Sequence, residues 1–291
     1  MNLPRPAPRP SFLMMKHLRL CSAAFLGLVL GSSSLWAQAA NPQIPPGEAQ
    51  AHDRLNSSPR HGEWVTVKDG GDTVKAWLVY PERRDKAPVV VVIHEIFGLT
   101  DWIRAVADQL AAEGFIAIAP DLLTGKGPNG GGTESVDRDG AVGLIRGLKP
   151  EEVLRRLNAT AHFAMQLPAA QPIFGSVGFC WGGGISFTFA VEQPKLKAAV
   201  VYYGTSPATE TLSRIQAPVL GLYGGDDARV NATIPAADAE MKKLGKPYEH
   251  HEFEGAGHGF LRAQDGRNGA NARAAEQAWK LTTEFFKKEL K

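Results

Sequence analysis

The sequence predicts an α/β fold with a mostly parallel central sheet and helices on both faces. Two patterns predict it. Short β-branched runs alternate with segments of helical spacing along residues 61–291, as in strand–helix–strand units whose crossovers cover both sheet faces. One of these runs, Val89-Val90-Val91-Val92-Ile93, is continuous rather than alternating, the mark of a strand buried on both sides.

Taken in order, residues 64–67 and 74–80 alternate apolar and polar, with Asp69-Gly70-Gly71-Asp72 as the turn of a strand pair. The continuous run follows Pro88. Ile103, Val106, Ala107, Leu110 and Ala111 then recur at helical spacing, and Gly114 stops that helix. Residues 116–119 form a short strand ended by Pro120. Residues 121–150 carry Gly125, Gly127, Gly130, Gly131 and Gly132 and read as a long irregular excursion, a length typical of a functional lid or mobile segment. Pro150, with Glu151 and Glu152 behind it, opens a helix to about residue 167. A strand at 173–179, a helix at 181–191, strands at 197–203 and 219–223, a helix at 235–244 and a strand at 248–253 follow. The closing helix, 271–290, sets Ala275, Ala278, Trp279, Thr282 and Phe286 on one face.

Composition narrows the function class. The 291 residues hold 32 Lys and Arg against 30 Asp and Glu, a net charge of +2, which gives no case for a nucleic-acid binder. Apolar residues at 44% and charged residues at 21% exclude global disorder. Residues 1–39 have a basic start, an apolar middle and a small-x-small end at Ala37 and Ala39, the pattern of a cleaved signal peptide. The apolar stretch at 20–30 is too short to span a bilayer. Removing this segment, with its four basic and no acidic residues, leaves 252 residues at a net charge of −2. The mature protein is therefore expected in the periplasm or secreted, free of the membrane and as a monomer. Residues 40–60, rich in Pro, Gln, Ser and Asn, read as a loose arm before a single domain at 61–291. One cysteine remains, Cys180, which excludes an internal disulfide. No metal-ligand spacing and no phosphate loop is visible, so no cofactor is expected.

In parallel sheets ligands bind beyond the carboxyl ends of the strands, and there the chemistry-bearing residues cluster. Gly178-Phe179-Cys180-Trp181-Gly182-Gly183-Gly184 joins an apolar strand to an apolar helix. It has the G-x-S-x-G elbow pattern with cysteine for serine, and residues larger than Gly at 178 and 182 would clash in so tight a turn. The elbow puts the thiol at a helix N-terminus, whose dipole favours the thiolate, and the amide of Trp181 would donate to an oxyanion hole. Tyr223-Gly224-Gly225-Asp226-Asp227 places carboxylates after the next strand but one. Gly257-His258-Gly259-Phe260 places a histidine after the last. The order nucleophile, acid, base is that of α/β-hydrolases. A His there moves protons near neutral pH and an acid orients it; pattern alone leaves Asp226 and Asp227 both open. His94-Glu95-Ile96-Phe97-Gly98, at the end of the most apolar strand, sets a carboxylate where such folds supply an oxyanion-hole amide.

These motifs, with Pro120-Asp121-Leu122, resemble the dienelactone hydrolase family over residues 63–286. The resemblance implies an α/β-hydrolase fold and a carboxylic ester hydrolase of carboxymethylenebutenolidase type. It implies Cys180 as nucleophile, His258 as base and Asp227, the last residue of Gly-Gly-x-Asp, as the acid. It implies Glu95 as an aid to thiol deprotonation and the amides of Ile96 and Trp181 as the oxyanion hole. In the family, arginines hold a substrate carboxylate; Arg262 stands where one of them is expected, and Arg138 and Arg146 in the excursion are candidates for the other. The expected reaction is hydrolysis of a small lactone or ester through an acyl-thioester. The alternative is a non-catalytic binder of small ligands with a redox-sensitive thiol at Cys180.

Overall fold

The computed structural model describes residue 41 and residues 43–291. The proposed signal peptide lies outside the described residues.

The elements in chain order begin with α1 (Ala51–Asn56), β1 (Gly62–Asp69), β2 (Asp72–Val79), β3 (Ala87–Ile93), α2 (Asp101–Ala112) and β4 (Ile116–Pro120). They continue with α3 (Arg138–Arg146), α4 (Pro150–Met165), β5 (Ala170–Phe179), α5 (Trp181–Glu192), β6 (Ala199–Tyr202) and β7 (Val219–Gly224). They close with α6 (Ala228–Asn231), α7 (Ile234–Lys243), β8 (Tyr248–Phe253) and α8 (Ala270–Glu289). The strands form one eight-stranded sheet in the order β1-β2-β4-β3-β5-β6-β7-β8. Only the β1–β2 and β2–β4 pairs are antiparallel; every pairing from β4 through β8 is parallel. The expected α/β-hydrolase arrangement, a mostly parallel sheet with helices on both faces, is what forms.

The period-two geometry of β3 explains why its apolar run is unbroken. Val90 and Val92 pack with α2 and α8, through Ile103, Val106, Ala278 and Trp279. Val89, Val91 and Ile93 pack on the other face with α4 and α5, through Leu157, Ala161 and Phe187. All seven residues of β3 are buried, and each large one stabilises the fold by about 1.5–3 kcal/mol relative to exposure. The sheet is rigid at its centre, so the loops at the carboxyl ends of β3, β5, β6, β7 and β8 are held at fixed spacing.

Two sequence expectations change. The excursion at 121–150 is not irregular throughout. It contains α3, capped by Asp137, whose Oδ1 accepts from the Gly140 amide at 2.8 Å. Ala141 and Ile145 of α3 bury against Leu123. Gly140 and Gly143 within it hid this short amphipathic helix from periodicity. The loose arm is also corrected: residues 43–60 are docked. Ile44 and Ala51 are buried in the layer beneath α2. Trp102 Nε1 donates to the Pro46 carbonyl at 3.0 Å, and Gln264 Nε2 to the Pro45 carbonyl at 2.8 Å. Arg60 pairs with the buried Asp108 on α2. The arm's own residues are polar and turn-forming, but its partners lie on distant elements, so local composition could not reveal the docking.

Candidate active site

The elbow after β5 is strained. Cys180 has φ +55°, a conformation that non-glycine residues hold only when the surroundings enforce it. The enforcement is visible. A Cβ on Gly178 would sit 1.9 Å from the Gly182 carbonyl oxygen, and one on Gly182 would sit 2.3 Å from the His94 carbonyl oxygen. The Cys180 amide donates to the Tyr202 carbonyl at 3.0 Å, and its own carbonyl accepts from Gly183 at 3.0 Å as α5 begins. The thiol is thereby lifted to the first turn of α5.

His258, from the loop after β8, meets it. His258 Nε2 lies 3.0 Å from Cys180 Sγ, and Nδ1 lies 2.5 Å from Asp227 Oδ2. Asp227 is 8% exposed. Asp226 turns outward and pairs with Arg267 at 3.0 Å. Geometry thus separates two adjacent carboxylates that the sequence pattern left open. Tyr203, which the sequence reading did not single out, is buried under the histidine with ring centroids 5.2 Å apart. Its position one residue past β6, at φ +38°, is the signal that could have found it: it too stands at a strand's carboxyl end.

Glu95, after β3, is 3% exposed. Burial pushes its carboxyl up to about 7, against the lowering effect of Arg262 and with a further rise from the Glu48 charge. The Cys180 thiol is pushed up to about 11, first by burial and then by the Glu95 charge. Opposing both are the amides of Trp181 and Ile96, which hydrogen-bond toward the sulfur, and the charge of Arg229. Burial and the Glu95 charge thus work against the helix N-terminus, which favours the thiolate.

His94 and the Pro120-Asp121-Leu122 segment hold this corner together. His94 is fully buried; its Nδ1 lies 2.8 Å from the Glu95 carbonyl and its Nε2 accepts from the Leu122 amide at 3.2 Å. Burial pushes the imidazole's pKa down. Asp121 accepts from the Thr133 amide and hydroxyl at 2.9 and 2.7 Å. The Thr133 hydroxyl in turn accepts from the Leu99 amide at 2.9 Å. The loop that carries Ile96 is thus tied to β4 and to the excursion.

A cavity of about 440 Å³ opens beside the thiol, lined by Ile96, Cys180, Trp181, Ile185, Tyr203 and Arg229 among others. This volume suits a small organic substrate. Arg138 and Arg262 come together as well, over the Phe97 ring at 3.7 and 5.3 Å. Between them stands a carboxylate of the chain itself, Glu48. Arg146 has no ion-pair partner among the described residues.

The raised Glu95 carries a stability consequence. Between about pH 4.5 and 7 the unfolded chain releases the Glu95 proton while the folded chain keeps it, so stability falls as pH rises and stays lowered above 7. Glu95→Gln removes this penalty. Relative to wild type, the variant is expected to gain about 2 kcal/mol more at pH 8.5 than at pH 5. Denaturant melts at the two pH values measure it; an equal change at both pH values contradicts the assignment.

Comparisons with known proteins identify the family. The dienelactone hydrolase family profile matches residues 74–290. A candidate carboxymethylenebutenolidase of Yersinia pestis is 32% identical over 255 residues, covering 82% of this chain and 94% of that protein. One from Synechocystis is 34% identical over 248 residues, covering 78% of this chain and 96% of that protein. The crystal structure of a candidate dienelactone hydrolase from Klebsiella pneumoniae superposes with a TM-score of 0.69 at 29% identity, covering 78% of this chain and 98% of that one. With the profile spanning most of the chain and full-length relatives above 30% identity, the chain belongs to the dienelactone hydrolase family.

Proposed function

We propose that the protein hydrolyses small carboxylic esters or lactones through Cys180, His258 and Asp227, with an acyl-thioester intermediate. One observation carries the reading: a single line of contacts from Asp227 Oδ2 through His258 to Cys180 Sγ, at 2.5 and 3.0 Å. As Sγ attacks the substrate carbonyl, its proton passes to the site's base. The new oxyanion accepts hydrogen bonds from the Ile96 and Trp181 amides, which already point toward the sulfur. Collapse breaks the C–O bond, and His258 returns the proton to the leaving alkoxide. His258 then takes a proton from water as it attacks the thioester, releasing the acid and restoring the thiol.

Glu95 gives a second route for the first proton. Its charge opposes the thiolate. A proton moving from sulfur to the carboxylate therefore removes that repulsion in the same step that makes the nucleophile. With its pKa brought to about 7, Glu95 is matched to such a transfer near neutral pH. A thiol held up at about 11 is correspondingly slow to oxidise, which weighs against a redox-sensing role. The basic-then-apolar start of the chain supports an exported enzyme working in the periplasm or outside the cell.

The test uses purified protein with p-nitrophenyl acetate and a dienelactone. Turnover is expected, with a mass increase of one acyl group on the Cys180 peptide after acid quench. Turnover of neither ester nor lactone, or acylation elsewhere, refutes the proposal.

A further inference from the structure

We propose that Glu48 is a built-in carboxylate that fills the Arg138–Arg262 pair and thereby selects against substrates that present a carboxylate there. The proposal rests on the ester- or lactone-hydrolase reading above.

Glu48 uses both oxygens, one for each guanidinium. Arg138 Nη1 donates to Oε1 at 2.9 Å and Arg262 Nη1 donates to Oε2 at 2.6 Å. Arginine forks bind carboxylates of any origin in this charge-assisted way, so a ligand carboxylate and Glu48 compete for the same donors. The pair adjoins the reaction centre. Arg262 Nε lies 2.8 Å from Glu95 Oε2. Both guanidiniums lie over Phe97, the neighbour of Ile96 in the cavity wall. Glu48 offsets part of the charge of the two guanidiniums here; without it the corner holds a larger positive excess.

Glu48 is aimed rather than incidental. Its amide donates to the Arg262 carbonyl at 2.9 Å, and the preceding Pro46 carbonyl accepts from Trp102 at 3.0 Å. A carboxylate fixed this way has an effective concentration at the arginines that a free anion must exceed. Its side chain is 35% exposed and that of Arg262 is 19% exposed, so the pairing is shielded in part from the screening that weakens surface ion pairs. The Glu48 carboxyl is accordingly held below its usual range by the two arginines, despite partial burial, and stays charged at neutral pH. The cation that lines the cavity beside the thiol is a different one, Arg229.

The experiment compares wild type, Glu48→Ala and the near-isosteric Glu48→Gln on two esters with one leaving group, p-nitrophenyl butyrate and the p-nitrophenyl half-ester of glutarate. Both variants are expected to raise the ratio of kcat/KM for the anionic over the neutral ester by at least about 10-fold, mainly through KM. In parallel, benzoate binding is followed by calorimetry and is expected to tighten at least about 10-fold in both variants. This arm needs no turnover, so it reads the Glu48 assignment even if the hydrolase reading fails. Unchanged benzoate affinity and an unchanged substrate ratio in the folded Glu48→Gln protein overturn the proposal.

Discussion

Cys180→Ala is expected to lower kcat/KM for p-nitrophenyl acetate by at least about 10³-fold, since removing a nucleophile leaves only the contribution of oxyanion hole and binding. The fold should survive. The elbow is set by the backbone bonds of residue 180 to Tyr202 and Gly183 and by the close approach of Gly182 to the end of β3, none of which needs the sulfur. The thiol points into an open cavity, so its loss leaves no enclosed void, and the melting midpoint should move by no more than about 1 kcal/mol equivalent. Steady-state rates alongside a thermal melt make the distinction. A folded variant that keeps more than a tenth of wild-type turnover rules out Cys180 as the nucleophile.

Asp227→Asn and Asp226→Asn are expected to differ by at least about 10²-fold in kcat. Asp227 is buried and 2.5 Å from His258 Nδ1. An amide there can present its NH₂ to the imidazole and favour the wrong tautomer, the type of change that costs up to about 10⁴-fold in triad enzymes. Asp226 loses only a pair with Arg267 whose side chains are 47% and 52% exposed, worth about 0–1 kcal/mol. Its kcat should stay within about 3-fold of wild type. Equal losses in the two variants would sink the assignment of Asp227 and the separation of roles between neighbours.

Much of this site was legible because its signals are local. A tight elbow needs Gly178 and Gly182 whatever surrounds it, and β3 must read as an unbroken apolar run because helices cover both its faces. A parallel sheet brings successive strand ends to one side, so Cys180, His258 and one of Asp226 and Asp227 could be expected to meet from their order alone. Helix α3 was missed for the converse reason: its apolar positions are few and Gly140 and Gly143 interrupt it, so no period stood out. Tyr203 was read only as the end of a strand, since its contact with His258 is made across the sheet.

The sequence by itself determined the fold class and the order in which the candidate nucleophile, acid and base stand along the chain, because strand and helix periods and turn chemistry are set by near neighbours along the chain. Tertiary structure decided three things. It turned Asp227 inward and Asp226 outward, a difference that the residue pattern left open and only the family resemblance implied. It buried the thiol beside Glu95, and both burial and that charge push its pKa up. It brought Glu48 to Arg138 and Arg262 across 90 and 214 residues of chain. Electrostatic partners and desolvation depend on distances through space, and no local pattern encodes those.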